Sequence, residues 1–345
     1  MGTAAIPSAE KNVSQGEMTM RALQRLSVLV GLAAVLLAPM AAGAQEFPNK
    51  GPIRIIVPFP AGGPSDIIAR SVGQKMADIL KQKVVIDNRG GAGGVLGTEL
   101  VAKADPDGYT IAISSAGALA ISASVQKGVP YDAPKDFKPI TLVAKVPEML
   151  VVATSVSASN MAELVALAKS KPGKLNFASS GIGSLPHLAG ELLKLNAHIN
   201  IVHVPYRGAA PAVNDLLGQQ VQMVFLDLPI LIPQVQAGKL KAIAIGTTKR
   251  VAALPNVPTT VEAGYPKIQT ENWYGMVAPK NTPPDVVAKL NKAAVEALRS
   301  DEVKKRLDPL GVILAGDTPD EFAAFITSEK EKWAAVVKAA GIKPQ

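Results

Sequence analysis

The stretch IRIIVPFPAGGPSDIIAR, residues 53–70, holds the reading of the fold. Residues 53–59 are a short apolar run of the kind that becomes a strand covered on both faces. Residues 65–80 carry apolar side chains at helical spacing, and the proline- and glycine-rich segment between the two is a turn. Strand, tight loop and helix in succession open an α/β unit. Working outward, strands are predicted at 83–86, 109–114, 149–153, 175–178, 201–204, 221–226 and 241–245. Helices are predicted at 94–104, 160–170, 184–196 and 209–217. This alternation argues for mainly parallel α/β sheets. A strand at 273–278 is followed by helices at 284–299, 301–307 and 319–340, read as packing elements. Asn160 with Glu163, and Thr318-Pro319 with Glu321, carry the signature of capping boxes. No internal repeat stands out.

The chain has 345 residues, a length that suggests about two domains. It has no cysteine, which excludes disulfides, thiolate-ligated metals, a cysteine nucleophile and a lipidated N-terminal cysteine. Its three histidines and the lack of an H-E-x-x-H motif give no metal site, and no cofactor is expected. The formal charge of +8 is spread over 36 basic and 28 acidic residues. No basic stripe of the kind a nucleic-acid binder carries is present.

Arg21 and Arg25 precede the uncharged apolar run 26–38, followed by Pro39 and the small-residue motif Ala42-Gly43-Ala44. This order predicts a secretory signal peptide at 1–44, cleaved after Ala44. The run is too short for a membrane-spanning helix. Met18 and Met20 are alternative starts. An exported, untethered chain points to the periplasm of a Gram-negative bacterium.

The glycines suggest the chemistry. Phe59-Pro60-Ala61-Gly62-Gly63-Pro64-Ser65-Asp66 joins a strand to a helix, and Ser179-Ser180-Gly181-Ile182-Gly183-Ser184 does the same in the second half. Each loop presents free backbone N–H groups and the positive end of a helix dipole, a ready site for carboxylate or phosphate. Ordinary turn-and-cap chemistry explains one such loop, but two are better explained by an anion shared between them. Gly91-x-Gly93-x-x-x-Gly97 misses the dinucleotide fingerprint by one residue, and no P-loop is present. Ser184 with His187 lacks a nucleophile elbow, so Ser184 reads as a helix cap and His187 as a first-turn residue packed under the loop. His203 alternates with apolar neighbours, as either a satisfied core histidine or a cleft residue. Arg207 is a possible anion clamp, though a lone arginine is more often solvated.

At these loops the sequence resembles the Bug family, the TctC-like substrate-binding proteins of tripartite tricarboxylate transporters. The resemblance rests on 53–70, DNRGGAGGVLG (87–97), ADPDGYTI (104–111), NFASSGIGSLPHLAGELL (176–193), HVPYRGAAPAVNDLLGQQV (203–221) and LPNVPTTVEAGYP (254–266). It departs from the family at Gly90, Ile182 and the segment Phe225-Leu226-Asp227-Leu228-Pro229. Ile182 and Leu226 would make the far end of a ligand site more apolar than usual.

The resemblance implies a two-domain periplasmic-binding-protein fold of type II, a Venus flytrap with two crossing hinge strands. Domain 1 would comprise 45–146 plus 270–345, and domain 2 would be 147–269. It implies a monomeric receptor, not an enzyme, that binds a di- or tricarboxylate, an acidic amino acid or an aromatic acid. The receptor would present its ligand to integral-membrane permease subunits. A signalling sensor or a periplasmic enzyme on the same scaffold are the alternatives. The ligand contacts carried over are Phe59, Ala61, Gly62, Ser65, Asp66, Ser114, Ser115 and Ala116 in domain 1. From domain 2 come Ser179, Ser180, Gly183, Ser184, His203 and Asp227. Asp227 is alternatively the cap of the helix that follows it.

Overall fold

The computed structural model describes residues 1–4 and 46–344, and the predicted export signal lies, from residue 5 onward, outside them. Strand β1 (Ile53–Val57) is buried at every position but Arg54 and pairs in parallel with β2 (Val84–Asn88) and β3 (Thr110–Ser115). A parallel strand flanked on both sides has no solvent face, which is why 53–59 reads as one apolar run. Between β1 and β2 lies α1 (Pro64–Leu80), capped by Gly63 and closed by Lys81 in the left-handed conformation. Helix α2 (Val95–Ala102) connects β2 to β3.

The feature the pattern missed is the length of β4, which runs from Phe137 to Ala153. Then follow α3 (Met161–Ser170), β5 (Asn176–Ser179), α4 (Leu185–Ala197), β6 (Val202–Pro205) and α5 (Ala209–Leu217). Next are β7 (Met223–Asp227), α6 (Leu228–Gln236) and β8 (Leu240–Ile245). Strand β9 (Glu271–Pro279), α7 (Pro284–Arg299), α8 (Asp301–Leu307), β10 (Ile313–Leu314) and α9 (Pro319–Ala339) complete the chain. The strand order is β2-β1-β3-β9-β4-β7-β5-β6, with β8 and β10 also on β4. The sheet is mixed rather than mainly parallel, and every antiparallel pair involves β4 or β9. Strand β4 serves two neighbourhoods, pairing with β9 along its first part and with β7 and β8 along its last.

Outgoing and returning chain are tied where β4 changes partners. Glu148 N donates to Thr270 O at 3.0 Å, Gly246 N to Glu148 O at 2.8 Å, and Thr270 N to Gly246 O at 2.8 Å. On one side, side chains from Met149 to Ile268 share a core. On the other, β1, β3, α1, α7 and α8 enclose a second. Helix α4 links the two sides. Its Leu185, Leu188 and Leu192 are buried in a third cluster with Ile121, Val125, Trp333 and Val337. Each such leucine contributes about 1.5–3 kcal/mol by burial.

Of the two capping boxes, Thr318 and Glu321 make both reciprocal bonds. Asn160 accepts Glu163 N–H at 2.9 Å, while the Glu163 carboxylate takes Ser159 N–H, one residue earlier than predicted.

Candidate functional site

Four helices begin around one cavity. Gly63, Pro64 and Ser65 bring the start of α1, and Ser184, Leu185 and Pro186 the start of α4. Ala209 opens α5, and Asp227 precedes α6. Phe59, Ser115, Ser180, Leu226, Asn272 and Tyr274 complete its lining. The first N–H groups of a helix lack intrahelical partners, and the aligned peptide dipoles place partial positive charge there. Among the described residues, no lysine or arginine lines the cavity. The positive potential is therefore supplied by main chain.

Of the residues predicted to contact a ligand, Phe59, Ser65, Ser115, Ser180, Ser184 and Asp227 line the cavity. Ala61, Gly62, Asp66, Ser114, Ala116, Ser179, Gly183 and His203 do not. Strand alternation separates the serine pair at the end of β3. Ser115 reaches the cavity, whereas Ser114 Oγ lies 2.8 Å from Thr98 Oγ1 in the interior. Ala116 is buried in the third cluster. Ala61 and Gly62 are exposed, with Gly62 N–H donating to Asp66 Oδ2 at 2.9 Å. Asp66 also accepts from Arg70 and from Asn88. Burial pushes its carboxyl pKa up, but the bonds from Arg70, Gly62 and Asn88 outweigh that and hold it below the usual range.

In the second loop, Gly183 N–H donates to His187 Nδ1 at 3.4 Å. Ser179 Oγ accepts Gly181 N–H at 3.1 Å and lies 2.6 Å from His203 Nε2. That distance suits a nucleophile and its base, but Ser179 is wholly buried away from the cavity. Burial, followed by His187, pushes His203 down to about 3, too low for a base at neutral pH. The His203 ring instead stacks between Phe177 and His187, at centroid distances of 4.8 and 4.2 Å. Its ring is half-buried in this stack and its Nε2 is met by Ser179, off the cavity lining.

Two predicted caps work differently. Ser184 holds the cap position of α4, but its hydroxyl donates to Gly181 O at 2.6 Å and makes no cap bond. Asp227 precedes α6 and likewise makes none. Asn272 Nδ2 donates to both Asp227 oxygens at 3.1 Å, and the Tyr274 hydroxyl donates to Oδ2. Burial raises Asp227 to about 7, with the Tyr274 and Asn272 bonds pulling the other way. Leu226 lines the cavity as expected, but Ile182 does not; its carbonyl accepts Gln126 Nε2 at 2.6 Å. Arg207 is exposed and away from the cavity.

Asn272 and Tyr274 were not anticipated. The available signal was a tyrosine inside the apolar run 273–278, because a buried phenol needs a polar partner. Among the described residues no group of histidines and carboxylates suits a metal, and no helix is long and apolar enough to cross a membrane. The cavity can hold an anion on main-chain dipoles and offers one acidic acceptor.

Residues 68–342 match the family model of the tripartite tricarboxylate transporter family receptor. Protein BugT of Bordetella pertussis is 38% identical over 325 residues, 93% of this chain and 99% of that protein. The solved periplasmic binding protein BugD is 38% identical with a TM-score of 0.84, covering 86% of this chain and 99% of that one. Rpa4515 of R. palustris, solved with adipate, is 34% identical with a TM-score of 0.84, at the same coverage of both chains. MatC of Rhodopseudomonas palustris, solved with bound malate, is 32% identical with a TM-score of 0.81, covering 84% of this chain and 99% of that one.

Proposed function

Because the chain belongs to the tripartite tricarboxylate transporter receptor family, whose members are solute-binding proteins rather than enzymes, we propose that it is a periplasmic receptor for a small organic acid. The observation that carries the ligand class is the convergence of four helix N-termini on a cavity without a cation. Such a site stabilises a carboxylate and has little to offer a neutral sugar. Phe59, Leu185, Ala209 and Leu226 suit a short hydrocarbon body behind that carboxylate. Adipate and malate, each bound to one of the relatives, define the range to be searched first.

The reading includes export through a signal peptide cleaved after Ala44, and delivery of the acid to membrane permease subunits. It also divides the chain into domain 1, 45–146 plus 270–345, and domain 2, 147–269. The separate cores and the tie at Glu148, Gly246 and Thr270 support hinges at those points. Bound acid touching both sides favours the closed form, which the permease would recognise.

The test is native mass spectrometry of the protein as purified, followed by a thermal-shift screen of succinate, malate, adipate, glutamate, citrate and benzoate. At least one acid is expected to raise the melting temperature. Stabilisation by neutral sugars alone would overturn the reading.

A further inference from the structure

Glu148 and Asp227 are directly opposed in the antiparallel pair of β4 and β7. Opposed residues share one face of the sheet. Asp227 lines the cavity and accepts from Asn272 and Tyr274. Glu148 is wholly buried, and apart from the Thr270 hydroxyl beside it, its carboxyl oxygens have no hydrogen-bond partner among the described residues. Two ionised carboxylates cannot be held together in the interior without a cation.

The other elements packed around the pair supply none. Strand β9 offers Tyr274, whose phenol is kept neutral by burial and by Asp227, with Glu271 at its start. Helix α6 carries no charge along LPILIPQVQ. On β4, Lys145 places its ammonium 5.3 Å over the Phe325 ring. On β8, the Lys241 ammonium donates to Val156 O. On α1, Asp66 is tied to Arg70. On the α4 side, burial keeps His187 and His203 neutral.

A ligand carboxylate entering the cavity adds a further negative charge beside Asp227. Resting on the carboxylate reading above, we propose that this receptor takes up a proton together with a dianionic ligand, and that the Asp227–Glu148 pair holds it. The proton comes from water or buffer acid and bonds to a carboxylate oxygen. It returns to solvent when the ligand leaves, and no other bond changes. Protonated Asp227 ceases to repel the ligand and can donate to it. Burial raises Asp227 to about 7, and burial, followed by the Asp227 charge, raises Glu148 well above the carboxylate range, both in the direction that proton uptake requires.

The experiment is calorimetric titration with succinate and with adipate at pH 8, in two buffers of different ionisation enthalpy. An uptake of about one proton per diacid is expected, with affinity weakening about tenfold per pH unit above the titration of the pair. Asp227→Asn should lose the uptake, and Glu148→Gln should keep it with the maximum moved to lower pH. Circular dichroism checks that both variants fold. Diacid binding without proton uptake, or equal uptake in Asp227→Asn, overturns this proposal and leaves the receptor reading standing. If no acid of the screening panel binds, both fall.

Discussion

The Cα of Gly93 lies so close to the Ile182 carbonyl that a Cβ built there would sit 2.3 Å from the oxygen. Gly93 follows β2, and Ile182 belongs to the loop before α4, so this contact joins the two sides of the cavity. Gln126 fastens it by donating to Ile182 O at 2.6 Å and to Ala92 O at 3.2 Å. The backbone at Gly93 also has φ +63°, a left-handed conformation in which a side chain costs about 1–2 kcal/mol.

Gly93→Ala is therefore expected to oppose this close approach while leaving both cores intact. Affinity for the best acid of the screen should fall by about tenfold or more, equivalent to about 1.4 kcal/mol. Calorimetry beside circular dichroism checks it, and unchanged affinity would show that closure does not use this contact.

The two glycines before α1 should separate in their effects. Gly62 has φ +80°, while Gly63 has φ −82° and ψ 171°, an extended backbone open to any residue. Left-handed geometry is thus needed at Gly62 only. Gly63→Val narrows the cavity lining and should abolish acid binding with a near-normal melting temperature. Gly62→Val should lower the melting temperature too, since valine resists the φ of +80° at which the residue 62 N–H meets Asp66. Thermal melts and titrations of both variants would settle it; near-normal affinity in Gly63→Val would place the anion elsewhere.

Asp66→Ala should act on stability before affinity. Asp66 is buried off the cavity lining, and its carboxylate gathers Gly62, Arg70 and Asn88. Loss of these charge-assisted bonds should cost about 2 kcal/mol, discounted because Arg70 is largely exposed. Its carboxyl titrates below 3.8, so this contribution is present above that pH and lost as pH falls through the native value. Denaturant melts at pH 7 and pH 3 test this, and an undiminished stability at pH 7 would contradict it.

Burial moves two other groups in opposite senses. Asp227 rises from 3.8 to about 7, so the native state keeps a proton that the unfolded chain releases. Its contribution to stability is full below pH 3.8 and is lost as pH rises to about 7. His203 falls from 6.5 to about 3, and its contribution is present above 6.5 and lost as pH drops. Denaturant melts at pH 5 and pH 7 should show Asp227→Asn favouring pH 7 more than wild type. His203→Gln should favour pH 5 more. Parallel behaviour of all three proteins would contradict both assignments.

Much of this was legible in the sequence because buried parallel strands leave continuous apolar runs, as at Ile53–Val57, and helix starts carry Pro or Asn, as at Pro64 and Asn160. The glycine loops identified the strand-to-helix corners, and the family resemblance supplied Phe59, Ser65, Ser180 and Ser184, which line the cavity. What remained hidden was side-chain direction. Ser114 and Ser115 are chemically alike, and only the pleat decides which meets the cavity. Likewise nothing local to Asp227 reveals that Asn272 and Tyr274, distant in the chain, will occupy its carboxylate. The length of β4 was missed because the stretch 137–148 mixes lysines and prolines with its apolar residues, whereas 149–153 is wholly apolar.

The central claim is that main-chain helix ends, without a cation, select a carboxylate. It is tested most directly by calorimetric titration of the purified protein with the screening acids and with glucose and ribose as neutral controls. The expected result is one acid bound with a dissociation constant of about 1 μM, near −8 kcal/mol, and no heat from either sugar. Tight binding of a neutral sugar with no response to any carboxylate would contradict it.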